Sequence, residues 1–133
     1  MFKAIQTSVS GLLASTVRFN TAANNIVNAH VKSTPGASAS SGGAFNASYS
    51  PQHVAQSTTI GGGVRAAVVP VSPASLTVFD PTSPLSNAQG LVNTPNVSLP
   101  AEISELTRAS QAYKANAKVL KTLDDTFKTL LKI

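Results

Sequence analysis

The side chains able to do chemistry in this sequence are few and scattered. Cysteine is absent, which removes thiolate nucleophiles, disulfides and cysteine-based metal sites. The two histidines, His30 and His53, have no carboxylate at ligand spacing and read as exposed loop residues. Asp124 and Asp125 are adjacent, so on a helix their carboxylates splay by about 100° and do not converge on one ion; beside Lys121 and Lys128 they read as solvated. Gly61-Gly62-Gly63 lacks the Lys-Ser/Thr and the strand–turn–helix frame of a phosphate loop, and reads as a hinge or strand entry. Asn24 and Asn25 are the one polar pair whose placement looks deliberate, against the plainer alternative of a frayed helix end. No catalytic, metal or cofactor site is expected, and the chain is expected not to be an enzyme.

The net charge of +5 and a pI near 9.9 raise the question of nucleic acid. Five of the cations, Lys114, Lys118, Lys121, Lys128 and Lys132, lie in the C-terminal segment. No aromatic residues interleave with them as a base-stacking platform requires, so they read as a solvated helix face with cations placed toward the helix C-terminus. A basic helix binding nucleic acid or a membrane surface is the alternative of another class. Charged residues make up only 11 % of the chain, well under the roughly 25 % usual for globular domains, which points to a surface covered by partners. The N-terminus has no continuous apolar run, so a cleaved signal is not expected, and no stretch reaches the ~18 apolar residues of a membrane span.

The elements that position these residues fall into three parts: 1–32, 33–98 and 99–133. In the first, Phe2, Ile5, Val9, Leu12, Thr16, Phe19, Ala23 and Ile26 alternate steps of three and four, the rhythm of a helix with a narrow buried seam. Gly11 within it costs only about 1 kcal/mol. In the last, Ile103, Leu106, Ser110, Tyr113, Ala117 and Leu120 keep the same rhythm, continued by Leu123, Phe127, Leu130 and Leu131. Pro100 suits the first turn, Glu102 and Glu105 favour the positive end of the helix dipole, and Ser98 or Leu99 is the cap. Tyr113, on the seam, reads as a core or interface residue.

The middle part holds seven of the eight prolines and seven of the eight glycines. Ser33 to Gly43 is too polar and Gly/Ser-rich to order itself. Short β runs are expected at Val64–Val71, with Pro70 demoting it to an edge strand, at Leu76–Phe79, and at Gly90–Val92. The predicted class is mainly α: N- and C-terminal helices pairing as an α-helical coiled coil, with a small irregular β/loop insertion between them. The middle cannot cover both seams, and burying a Leu or Phe is worth about 1.5–3 kcal/mol, so the helices should cover one another and then neighbouring molecules.

Two motifs add a resemblance. Ser8-Val9-Ser10-Gly11-Leu12-Leu13-Ala14 followed by Ala22-Ala23-Asn24-Asn25-Ile26-Val27-Asn28-Ala29 is similar to the N-terminal motif of the flagellar axial family of rod and hook proteins. Glu102-Ile103, Ala112-Tyr113, Ala115-Asn116 and Leu120 match its C-terminal companion. Asp80-Pro81 through Pro84, then Gly90 to Val97 with its Pro95-Asn96-Val97, resemble the proximal-rod branch, whereas the Ser33–Gly43 run departs from the family pattern. The resemblance implies a structural subunit of the flagellar basal-body rod, carrying motor torque to the hook. It implies export through the flagellar type III apparatus, a periplasmic rod location, and packing against copies of itself and neighbouring rod proteins, with no nucleic acid and no membrane insertion; another rod or hook protein is the alternative within the family. The assembly interface is expected at Ile5, Val9, Leu12, Phe19, Asn24, Asn25, Ile26, Ile103, Leu106, Tyr113, Asn116, Leu120 and Phe127.

Overall fold

Helix α1 covers Phe2–Asn28 and helix α2 covers Leu99–Leu130, in a computed structural model that describes residues 2–36 and 48–132. Both helices are rich in Ser and Thr, which are poor helix formers when their hydroxyls compete for the backbone. Here the hydroxyls are satisfied within the helix: Ser15 donates to the Gly11 carbonyl at 2.7 Å, and Thr16, Thr107 and Thr122 each donate four residues back. Ser98 is the N-cap of α2, in extended conformation and without a side-chain cap bond, and proline follows in the first turn.

The helices pack antiparallel, as three pairs show. Gly11 faces Asn116, Arg18 reaches Glu105, and Asn25 near the end of α1 meets Glu102 near the start of α2. Between the helices come four strands in two antiparallel hairpins: β1 (Gln52–Thr58) with β2 (Val64–Pro70), and β3 (Ser75–Phe79) with β4 (Leu91–Pro95). The class is therefore mixed α and β, not mainly α. The first hairpin pairs Gln52 with Pro70 through Thr58 with Val64 and lies along α1. The second pairs Ser75 with Pro95 through Phe79 with Leu91.

Strand β1, QHVAQST, is the reason for the difference in class. It has no apolar alternation, and its extended state comes from its partner β2 and from α1 rather than from its own side chains. Pro70 ends β2 in a two-stranded sheet, where an edge position is automatic.

The run expected to stay flexible from Ser33 to Gly43 begins in order. Ser33 is buried and exchanges two backbone hydrogen bonds with Asn93, at 3.0 and 2.9 Å. Lys32 adds an ion pair to Asp80 at 2.6 Å, which ties the second hairpin to the end of α1 and holds the Asp80 carboxyl below its usual value. Residues 37–43 of that run lie outside the described residues.

Buried apolar side chains among the described residues are small: Ala14, Ala22, Val92 and Ala109. Much apolar surface is left for something else to cover.

Candidate functional site

The residues that hold the helix pair together are small or polar. On α1 they run Ser8, Gly11, Ser15, Arg18, Ala22 and Asn25. These steps of three and four form a true helical stripe, displaced from the apolar one that the hydrophobic pattern picks out. On α2 the facing residues include Glu105, Ala109 and Asn116. A Cβ added at Gly11 would sit 2.7 Å from Asn116 Nδ2, so the close approach depends on glycine. Asn116 itself donates to the Ala112 carbonyl at 3.0 Å.

Asn25 is the centre of this interior. It is 1 % exposed. Its Nδ2 donates to the Gln52 carbonyl at 2.6 Å, and its Oδ1 accepts from the Tyr49 hydroxyl at 2.8 Å and from the Gln52 amide at 3.1 Å. One side chain thereby fixes the start of β1 to α1 with both of its polar atoms satisfied, as a buried amide requires. Burial raises the Tyr49 hydroxyl pKa, with the nearby Glu102 charge adding to it. Burial likewise raises Glu102, opposed by its hydrogen bond to Asn25.

One turn along, Arg18 Nε donates to Glu105 Oε1 at 2.5 Å, and Arg108 approaches the other carboxylate oxygen at 3.7 Å. The Arg18 hydrogen bond holds Glu105 below the usual carboxylate range, against a smaller effect of burial. These groups line a cleft between the helices and β1 that also takes in His53 and Gln56. Two carboxylates and a histidine in one cleft are the nearest approach to a catalytic arrangement. Glu105 is committed to two guanidinium groups, and a carboxylate so held is a poor proton acceptor.

The large apolar side chains point elsewhere. Val9, Phe19, Ile103 and Tyr113 are 40–55 % exposed, and Phe2, Leu13, Val27, Val119 and Leu130 are also exposed. Ile5, Leu12, Ile26, Leu106, Leu120 and Phe127 are half-buried. Phe19 and Tyr113 lie on one flank of the pair, where with Ser15, Thr16, Ala109 and Lys114 they line an open groove. Of the asparagines, Asn25 is buried while Asn24 is exposed, its carbonyl accepting from Asn28 Nδ2. Of the predicted residues, the structure thus buries Asn25, half-buries Asn116 together with Ile5, Leu12, Ile26, Leu106, Leu120 and Phe127, and leaves Val9, Phe19, Asn24, Ile103 and Tyr113 exposed.

Hydrophobic spacing missed Arg18, Glu105, Tyr49 and Gln52. The usable signal was the one polar pair at Asn24-Asn25, half of which proves to be the buried clamp. The glycine triplet forms the end of the β1–β2 hairpin, with φ of 106°, 98° and 104° at Gly61, Gly62 and Gly63. Gly63 packs on Ser10, whose Oγ accepts from the Val64 amide at 3.1 Å.

Comparison with known proteins places this architecture. Residues 88–133 match a family model described as flagellar basal body rod FlgEFG protein C-terminal. The chain is 36 % identical over 115 residues to the flagellar basal-body rod protein FlgC of Yersinia enterocolitica, covering 85 % of this chain and 82 % of the relative. It is 35 % identical over 116 residues to FlgC of Salmonella typhimurium, covering 86 % and 83 %. With FlgC of Borreliella burgdorferi it shares 28 % identity across 100 % of this chain and 97 % of the relative.

Proposed function

The chain belongs to the FlgC family of flagellar basal-body rod proteins, structural subunits and not enzymes, and on that premise we propose that its outward apolar face is the surface by which it assembles. In this reading α1 and α2 form an antiparallel coiled coil closed on the inside by small and polar residues. The interface carries Ile5, Val9, Leu12, Phe19, Ile26, Ile103, Leu106, Tyr113, Leu120 and Phe127 to copies of the chain and to neighbouring rod proteins. Asn24, Asn25 and Asn116 support that face. Subunits stack helically in the periplasmic rod after passage through the flagellar type III export apparatus, and the stacked helices carry torque.

One observation supports this most: Val9, Leu13, Phe19, Ile103 and Tyr113 are exposed, while the fully buried residues of the two helices are Ser, Thr, Ala and Asn. Large apolar side chains left exposed in this number on two paired helices point to an interaction surface. Heterologous packing of identical subunits that does not close on itself gives a helical shaft.

The test uses residues exposed in the single chain, so that folding is spared. Val9→Asp and Tyr113→Asp should leave far-UV circular dichroism unchanged and abolish rod assembly and swimming. Normal swimming by both variants would remove the assembly reading.

A further inference from the structure

The charges of this chain are distributed so that one face of α2 lacks a complement on a second copy. Lys114, Lys118 and Lys121 repeat at steps of four and three, which sets them in one row on the helix. All three are exposed, and none makes an ion pair among the described residues. Beside the row lies a shallow apolar groove formed by Ala115, Val119, Thr122 and Leu123, with Lys118 at its edge.

The chain has five acidic residues. Asp80 is paired with Lys32, Glu105 with Arg18 and Arg108, and Asp124 with Lys128. Glu102 is half-buried beside Asn25. Asp125 alone remains, and four residues beyond Lys121 it continues the same row. The exposed carboxylates of a second copy, Asp124 and Asp125, sit among its own Lys121, Lys128 and Lys132, so a copy offers this face no patch of net negative charge.

We infer that the Lys114–Lys118–Lys121 row and its adjoining groove bind a helix of a different protein, one that carries acidic side chains flanking an apolar stripe. The groove accepts the apolar stripe and the lysines pair with the acids, an arrangement that orients the partner and rejects like-charged surfaces. The inference rests on the assembly reading only in treating α2 as a contact surface, and it divides that surface: contacts between copies use the Phe19–Tyr113 flank, whose groove Lys114 edges, and the side that carries Lys118 and Lys121 takes the unlike neighbour. A membrane fits less well, because Asp124 and Asp125 interrupt the cationic face and no aromatic side chain lines the groove.

The test titrates the full chain with a fluorescent helical peptide bearing Leu at positions i and i+4 flanked by Glu, and with the same peptide bearing Lys in place of Glu. The acidic peptide should bind and the basic one should not. Lys118→Glu and Lys121→Glu combined should weaken the acidic peptide by about fivefold, the sum of two exposed pairs, and high salt should do the same. Sedimentation of this variant should show self-association unchanged, and Val119→Ser should weaken the peptide without altering the salt response. The inference is overturned if both peptides bind alike or neither binds, or if the reversed chain binds the acidic peptide as well as the original. It is equally overturned if the lysines drive self-association, or if phosphatidylglycerol vesicles or duplex DNA bind this row in preference to the acidic peptide. Failure of the unaltered chain to bind the acidic peptide, with Val9→Asp and Tyr113→Asp still abolishing rod assembly, would refute this inference alone, whereas normal assembly by those two variants would refute the assembly reading.

Discussion

The two sides of the helix pair are built from different materials. Inside lie Ser8, Gly11, Ser15, Ala22, Asn25 and Ala109, small or hydrogen-bonded; outside lie Val9, Leu13, Phe19, Ile103 and Tyr113, large and apolar. A self-sufficient monomer places these the other way round. The inside relies on close approach and specific hydrogen bonds, which set one register but bury little apolar area. The outside holds area without partners in the chain. Specificity of the fold and strength of association thus reside on opposite surfaces, and substitutions should separate them.

The largest effect on the inside is expected at Asn25. Asn25→Leu leaves the Gln52 amide and carbonyl and the Tyr49 hydroxyl without their partner, and should destabilise the chain by about 3 kcal/mol, read from the midpoint of urea unfolding. Gly11→Leu comes next. It drives side-chain atoms into Asn116 and should cost about 1–3 kcal/mol, whereas Leu13→Ser, two residues away on the exposed face, should shift the same midpoint by less than about 0.5 kcal/mol. If the two cost the same, the contrast between the faces is wrong.

A smaller effect belongs to the Arg18–Glu105 pair. Its carboxyl is held below the usual value in the folded chain, so the pair stabilises above the unfolded pKa of a glutamate, and that contribution is lost as pH falls through the lowered folded value. Glu105→Gln should cost about 1 kcal/mol at neutral pH and flatten the acid side of the stability profile. Glu102 is displaced the other way by burial. Its contribution is full below the unfolded value and declines as pH rises through the raised folded value. Glu102→Gln should accordingly be neutral in acid and stabilising by no more than about 0.5 kcal/mol at neutral pH, measured by thermal unfolding at both conditions.

The same contrast explains what could be read from the residues. Both helices were legible, because their three-four rhythm survives whichever face it describes, and Pro100 marks the start of α2. Strands β2, β3 and β4 were legible from Val64–Val69, Leu76–Phe79 and Leu91-Val92. Strand β1 was not, since Gln52–Thr58 is polar and extended only because β2 and Asn25 hold it. The packing stripe of α1 was hidden for a related reason. A search for large apolar residues finds Val9, Leu12, Phe19 and Ile26, and passes over Ser8, Gly11, Ser15 and Ala22, which have little hydrophobicity but the right size. The antiparallel register of the helices depends on Arg18 meeting Glu105, far apart in the chain, and no local pattern encodes that.

The glycine triplet expected to be a hinge or strand entry has a consequence for genetics. At Gly61, Gly62 and Gly63 every missense codon installs a Cβ on a backbone that L-residues rarely adopt, and at Gly63 that atom would lie 2.6 Å from Ser10 Oγ. A saturation mutagenesis map scored by motility should therefore show three consecutive intolerant positions beside a permissive Thr59. Such a profile is usually taken as the mark of an active site. Here it would record only the handedness of a turn.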